Sequence, residues 1–284
     1  MTNPLIADRD RFAAGHPEQR VSLRGREWGV VAAGTDGPAL VLIPGTLGRA
    51  DIFWQQIEAL AGRARVIAVT YPDSGGVREW AGDLAELLRQ RGVRAATVLG
   101  SSLGGYLAQY FAAVHPELVK RLLAANTLGS VDEIKQFPPY NSDLDHGPIA
   151  ELRAGFGRGL TAWGKSHPDQ ADLVALLMAE QGGRISEPEL RARLKALRDG
   201  PDLPPVSLPH ERIVAIESDD DPLLPQPLRE ALRARLDPGV CYRFAWGGHF
   251  PYVVRPAAYT GLLEEQLELE VTGQGWGEGA LRRQ

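Results

Sequence analysis

The chain has 284 residues, of which 44% are hydrophobic and 24% charged, and it carries a formal net charge of −5. Such values describe one large α/β domain with an insertion, or at most two domains, and they exclude disordered and fibrous classes. No basic face is advertised, so no nucleic-acid partner is expected.

In chain order, residues 1–20 form a polar N-terminal extension with no apolar run of signal-peptide length behind a basic start. Residues 21–33 alternate loosely around a turn at Arg24-Gly25, which predicts an antiparallel hairpin. The continuous apolar run 39–43, stopped by Pro44-Gly45, suits a strand buried on both faces. A helix is predicted over 51–61, a buried strand over 65–70 and a helix over 77–91, with Gly92 as its stop. A strand over 95–99, a helix over 103–114 and a strand over 119–124 continue the series. Strand and helix alternating in this way predict a parallel, doubly wound sheet built from right-handed crossovers.

The alternation then lapses. Residues 128–209 offer helical segments at 149–163, 169–181 and 187–198 and no convincing strand, which predicts a helical lid inserted between two parts of one core, 21–127 and 210–270. The pattern resumes with a strand over 212–217, a helix over 226–236, a strand over 240–246 and a helix over 257–269. The Gly-rich, charged segment 271–284 is expected to be a loose tail. No run of about 18 apolar residues occurs, so no membrane span is expected. The single cysteine, Cys241, cannot pair within the chain and sits in an apolar stretch, as a buried inert thiol would. With no disulfide framework, a cytoplasmic protein is expected.

Gly100-Ser101-Ser102-Leu103-Gly104 places G-x-S-x-G between a buried strand and a helix. A serine lifted on such a tight turn needs small residues two before and two after it, because the backbone passes close to its neighbours there. Gly100 and Gly104 meet that need around Ser102, whereas Ser101 has Leu99 and Leu103 at those positions. Ser102 is therefore the candidate nucleophile, at a helix N-terminus that favours a developing oxyanion. The alternative is a serine that merely caps the helix.

A serine hydroxyl needs a base, and histidine titrates in the right range. Of six histidines, His249 follows the last core strand in Trp246-Gly247-Gly248-His249-Phe250-Pro251, where two glycines let the loop fold back over the sheet. The acid that orients it is sought in Asp219-Asp220-Asp221, after the strand at 212–217, with Asp132 as the alternative after the strand at 119–124. The Leu103 N–H is one candidate oxyanion donor. The Thr46 N–H, in Pro44-Gly45-Thr46-Leu47-Gly48, is the other. No Gly-Lys-Ser/Thr follows this loop, so it does not read as a nucleotide cradle.

Together these segments resemble the α/β-hydrolase superfamily over residues 20–270. The resemblance implies the chain order Ser, Asp, His, and an acid loop of the form G-x-x-D-x-x-x-P, here Ser218-x-x-Asp221-x-x-x-Pro225 with serine for glycine. That register singles out Asp221. Pro44-Gly45 looks like the family's His-Gly oxyanion loop with the histidine replaced. Within the superfamily the chain is similar to the maspardin group, on Leu42-Ile43-Pro44-Gly45-Thr46-Leu47-Gly48-Arg49-Ala50-Asp51-Ile52-Phe53, on Gly100-Ser101-Ser102-Leu103-Gly104-Gly105-Tyr106-Leu107-Ala108-Gln109 and on Gly247-Gly248-His249-Phe250-Pro251-Tyr252. That group includes non-catalytic, protein-binding members, some with another residue where this chain has His249.

The resulting expectation is a serine esterase that acts on a small molecule through an acyl-enzyme and needs neither cofactor nor metal. Carbon–carbon bond hydrolysis and cofactor-free haloperoxidase-like chemistry remain open on the same residues. Dehalogenase and epoxide hydrolase chemistry would want a carboxylate at position 102. The rival class is an interaction scaffold that binds a protein partner. Phe137, Tyr140, Phe156, Trp163 and Met178 are candidates for an apolar acyl pocket, though each also reads as plain core.

Overall fold

The buried apolar runs become the middle of a twisted sheet in the computed structural model, which describes residues 3–132 and 134–284. The strands are β1 (Gln19–Leu23), β2 (Arg26–Ala33), β3 (Ala39–Ile43), β4 (Arg65–Thr70), β5 (Ala96–Ser101), β6 (Val119–Ala125), β7 (Ile213–Ser218), β8 (Val240–Phe244) and β9 (Leu281–Arg283). Their order across the sheet is β1-β2-β4-β3-β5-β6-β7-β8-β9. The hairpin β1–β2 and the pair β2–β4 are antiparallel, and every other pairing is parallel.

Alternate side chains of the strands enter two cores, because successive residues of a strand point to opposite faces. Val41, Ile67, Val98 and Leu122 pack under α3 (Val77–Gln90), α4 (Leu103–Val114) and α8 (Gln226–Leu236). Leu40, Leu42, Leu99, Leu123 and Ile216 pack under α2 (Trp54–Leu60), α9 (Pro251–Val254) and α10 (Pro256–Gln266). Helix α4 is apolar almost all round, as befits a helix covered by α3 as well as by the sheet.

Between β6 and β7 lie α5 (Ile149–Ser166), α6 (Ala171–Ala179) and α7 (Glu187–Arg198), with no strand among the described residues of that stretch. Leu144, Leu152, Ile185, Leu190 and Leu194 give this insertion a small core of its own.

Both ends of the chain depart from expectation. The polar N-terminus contains α1 (Pro4–Gly15), capped by Asn3, and the hairpin begins earlier, at Gln19. Asn3 also bonds Asp172 on α6, and Arg9 pairs with the fully buried Glu180. The C-terminal segment is not loose. Trp276 inserts edge-on between Tyr242 and Phe244, and its indole donates to the Ala258 carbonyl at 2.7 Å. Leu281–Arg283 then pairs parallel to β8 as the ninth strand. Glycine-rich composition suggested flexibility, but one buried aromatic and the Glu264 carboxylate, which accepts from the Thr272 and Gly273 N–H groups, tie the segment down.

Candidate active site

The register of the parallel strands decides which loops meet. Ile43 pairs with Gly100, Ser101 with Ala125, Ala125 with Ile216, and Ser218 with Phe244. Residues 44–48, Ser102, Asn126, Asp221 and the loop to His249 therefore leave the sheet along one carboxyl edge, where doubly wound sheets bind ligands.

Ser102 stands between β5 and α4 with φ 54° and ψ −119°, a region that side-chain-bearing residues seldom adopt. Holding it there costs about 1–3 kcal/mol. The flanking close approach is real: a Cβ on Gly100 would fall 1.9 Å from the Gly104 oxygen, and one on Gly104 would fall 2.2 Å from the Ile43 oxygen. The strained residue is anchored through its main chain. Its N–H donates to the Ala125 carbonyl at 2.9 Å, and its carbonyl accepts from Thr127 Oγ1 at 2.6 Å. Ser101 is buried, whereas Ser102 is half-buried and lines a cavity.

Asp221 accepts from His249 Nδ1 at 2.8 Å, which leaves Nε2 as the free ring nitrogen. The carboxylate is fully satisfied: Oδ2 also accepts from Asn126 Nδ2 at 2.9 Å, and Oδ1 from the N–H groups of Leu223 at 2.9 Å and Leu224 at 3.2 Å. Burial alone would raise this carboxyl. The His249 charge and these hydrogen bonds outweigh burial and hold it below the ordinary aspartate range. Among the described residues Ser102 Oγ and the imidazole share no hydrogen bond, though both line the same cavity. Contacts of this kind are often loose until substrate arrives.

The other aspartates separate cleanly. Asp219 pairs with Arg283 at 2.5 Å, and Asp220 accepts from the N–H groups of Gly247 at 3.1 Å and Gly248 at 2.8 Å. Asp220 is thus the brace of the histidine loop. Asp132 is exposed and bonds Ser130 and Lys135 instead.

Leu103 opens α4, and Thr46 lies in the turn after β3. A Cβ on Gly45 would lie 3.1 Å from Ser102 Cβ, so that turn passes directly beside the serine. Among the described residues neither the Thr46 nor the Leu103 N–H donates to a protein acceptor.

Three neighbours escaped the sequence reading. Asn126, at φ 40°, donates to Asp221 and to the Gly248 carbonyl at 3.3 Å. Thr127 holds Ser102, as noted. Arg193, on α7, donates to the Thr46 and Gly48 carbonyls. Asn-Thr directly after an apolar strand, at the edge where ligands bind, was the available signal for the first two.

The cavity measures about 780 Å³ and its walls are mostly apolar: Phe156, Leu160, Trp163, Leu173, Leu177 and Phe250. Of the aromatic candidates, Tyr140, Phe156 and Trp163 line it, while Phe137 and Met178 do not. Trp163 stacks on His167 and donates to Gln170 Oε1 at 3.1 Å. A Cβ on Gly248 would lie 3.1 Å from the Trp163 ring, so the insertion rests on the histidine loop.

A family description for the alpha/beta hydrolase fold matches residues 38–228, most of the chain. The chain belongs to the α/β-hydrolase fold family. Among its curated relatives is "Putative carbamate hydrolase RutD" of Serratia proteamaculans (strain 568), 30% identical over 233 residues, which span 75% of this chain and 84% of the relative. Maspardin of Danio rerio is 26% identical over 77% of this chain and 70% of its own length, in keeping with the motif resemblance. Among solved structures, an enol-lactonase from Burkholderia xenovorans LB400 superposes with a TM-score of 0.73 at 16% identity, covering 88% of this chain and all of that one, which shows the shared fold. Within the family frame, Cys241 plays no part at the carboxyl edge. It is buried, and burial, with the Glu217 charge adding to it, pushes its thiol up to about 12. Among the described residues no helix is long and apolar enough to cross a membrane.

Proposed function

We propose that this family member is a serine hydrolase that cleaves carboxylic esters of small, largely apolar molecules. Ser102 attacks the ester carbonyl while His249 Nε2 takes the hydroxyl proton. Asp221 keeps the Nδ1 proton in place and stabilises the imidazolium. The Leu103 and Thr46 N–H groups receive the tetrahedral oxyanion. His249 then protonates the departing alkoxide, and water attacks the acyl-enzyme by the same route in reverse.

The observation that carries this reading is the 2.8 Å contact of Asp221 with His249 in a loop that shares one cavity with Ser102. The apolar walls favour an acyl or alcohol portion without charge. A curated relative named as a putative carbamate hydrolase supports a hydrolytic reaction of this general kind. A second reading, a protein-binding scaffold, draws on the maspardin likeness and on the absence of a hydrogen bond between Ser102 and His249 among the described residues.

Hydrolysis of p-nitrophenyl esters of graded chain length separates the two. The esterase reading expects turnover that passes through an optimum with chain length and vanishes in Ser102→Ala. A folded wild-type protein that hydrolyses none of them faster than Ser102→Ala would leave the scaffold reading standing.

A further inference from the structure

Four of the five carbonyls of the turn beside Ser102, residues 44–48, accept a hydrogen bond. Tyr71 Oη donates to the Pro44 carbonyl at 2.6 Å, and the Gly48 N–H donates to the Gly45 carbonyl at 3.0 Å. Arg193 Nη1 donates to two more, those of Thr46 at 3.0 Å and Gly48 at 2.8 Å. In a trans peptide the C=O and the following N–H point in opposite directions. Tying back the Gly45 carbonyl therefore turns the Thr46 N–H the other way. Fixing the Thr46 and Gly48 carbonyls stops the turn from rolling.

Arg193 comes from α7, which belongs to the helical insertion and begins with a capping box of Ser186 and Glu189. Its side chain is fully buried, with the guanidinium 5.2 Å from the centre of the Tyr71 ring, and it does not line the cavity. Nε and Nη2 have no protein partner among the described residues. A buried cation with unmet donors is a weak contributor to stability, since desolvation offsets much of what its bonds return. What the arrangement does supply is geometry.

We propose that Arg193 is a positioning residue for the oxyanion site: delivered by the helical insertion, it locks the 44–48 turn so that the Thr46 N–H stays aimed at the carbonyl oxygen of a substrate on Ser102. Docking of the insertion thereby becomes a condition for stabilising the transition state, and a displaced insertion leaves a bound ester unreacted. This inference rests on the esterase reading above.

The test compares wild type, Arg193→Met and Arg193→Lys on the best p-nitrophenyl ester, together with inhibition by an alkylboronic acid, which forms a tetrahedral anion on the serine. Arg193→Met is expected to lower kcat roughly 10- to 10²-fold, below the ~10²–10³-fold effect of deleting a donor outright, with KM changed less than about threefold. Boronate affinity should fall by the same factor as kcat/KM, because both report the tetrahedral state. Arg193→Lys, which keeps one cationic donor, should recover part of both. A folded Arg193→Met enzyme with kcat within about threefold of wild type overturns the proposal. So does a lowered kcat with unchanged boronate affinity, or the failure of both variants to fold, which would mark the arginine as purely structural. If the wild type itself turns over no ester and binds no boronate, it is the esterase reading that fails.

Discussion

Replacing Asp221 by asparagine keeps the shape and forces a choice that the structure lets one weigh. Oδ1 accepts two backbone N–H groups, from Leu223 and Leu224, while Oδ2 accepts from His249 Nδ1 and Asn126 Nδ2. All four partners are donors, and an amide offers only one acceptor. If its nitrogen faces Leu223 and Leu224, two main-chain donors are left facing a third. At about 1–3 kcal/mol for each unmet buried group, that costs roughly 2–6 kcal/mol. If the nitrogen faces His249 instead, the imidazole answers by moving its proton to Nε2, and only the Asn126 amide, itself able to rotate, is left opposed. The second arrangement is cheaper by about 1–3 kcal/mol, so it should dominate. It also places the proton on the nitrogen that, in the proposed mechanism, accepts one from Ser102. The expected result is a fall in kcat on the order of 10³–10⁴, the size associated with enforcing the wrong tautomer, with only a few degrees lost from Tm. Ester hydrolysis and thermal unfolding of the two proteins measure both. The native Asp221 carboxyl is held below its unfolded value, so the stability it confers is present above about pH 4 and is lost as pH falls through the native value. The stability gap between wild type and Asp221→Asn should therefore narrow below about pH 4. A variant with kcat within about threefold of wild type would refute the role of Asp221. A large loss of Tm with nearly intact kcat would refute the orientation argued for the amide.

Three further outcomes follow from the same geometry. Asn126→Ala removes a donor to a charged acceptor and should cost about 1.5–3 kcal/mol in urea unfolding, while moving the acid-unfolding midpoint upward because Asp221 is held less firmly. In Gly104→Ala the new methyl would meet the Ile43 and Pro44 carbonyls at 2.2 and 2.6 Å, neither of which can swing away, so a loss of about 3 kcal/mol, at the upper end of overpacking, is expected in the same assay. Cys241 should not react with a disulfide reagent at pH 8 in the native protein and should titrate as a single thiol once urea has unfolded it.

The fold was largely legible because its signals are local. Buried strands announce themselves as apolar runs such as 39–43 and 65–70, and α4 and α7 take the bounds expected for them, 103–114 and 187–198. The serine turn was visible for the same reason, since Gly100 and Gly104 answer to contacts within a few residues or on the next strand. The proposed acid was harder: three adjacent aspartates look alike in sequence, and the register that singles out Asp221 came from family likeness. The division of labour among them depends on partners such as Arg283, Gly247 and His249 that only the fold assembles. Asn126 and Arg193 were illegible as site residues because their partners lie 95 and 147 positions away. Composition misled at the C-terminus, where glycine and charge suggested a loose tail but Trp276 and β9 dock it against β8. It was also silent on α1, whose fixing contacts to α6 and Glu180 are long-range.

The central claim is that Ser102 is a nucleophile activated by His249. The most direct measurement is labelling of the native protein with a fluorophosphonate probe, followed by mass mapping of the modified peptide. The account predicts one adduct, on Ser102, that is absent in Ser102→Ala and strongly slowed in His249→Ala, with both variants folded by circular dichroism. A folded wild type that takes up no probe, or takes it up on another residue at a rate indifferent to His249, would contradict it.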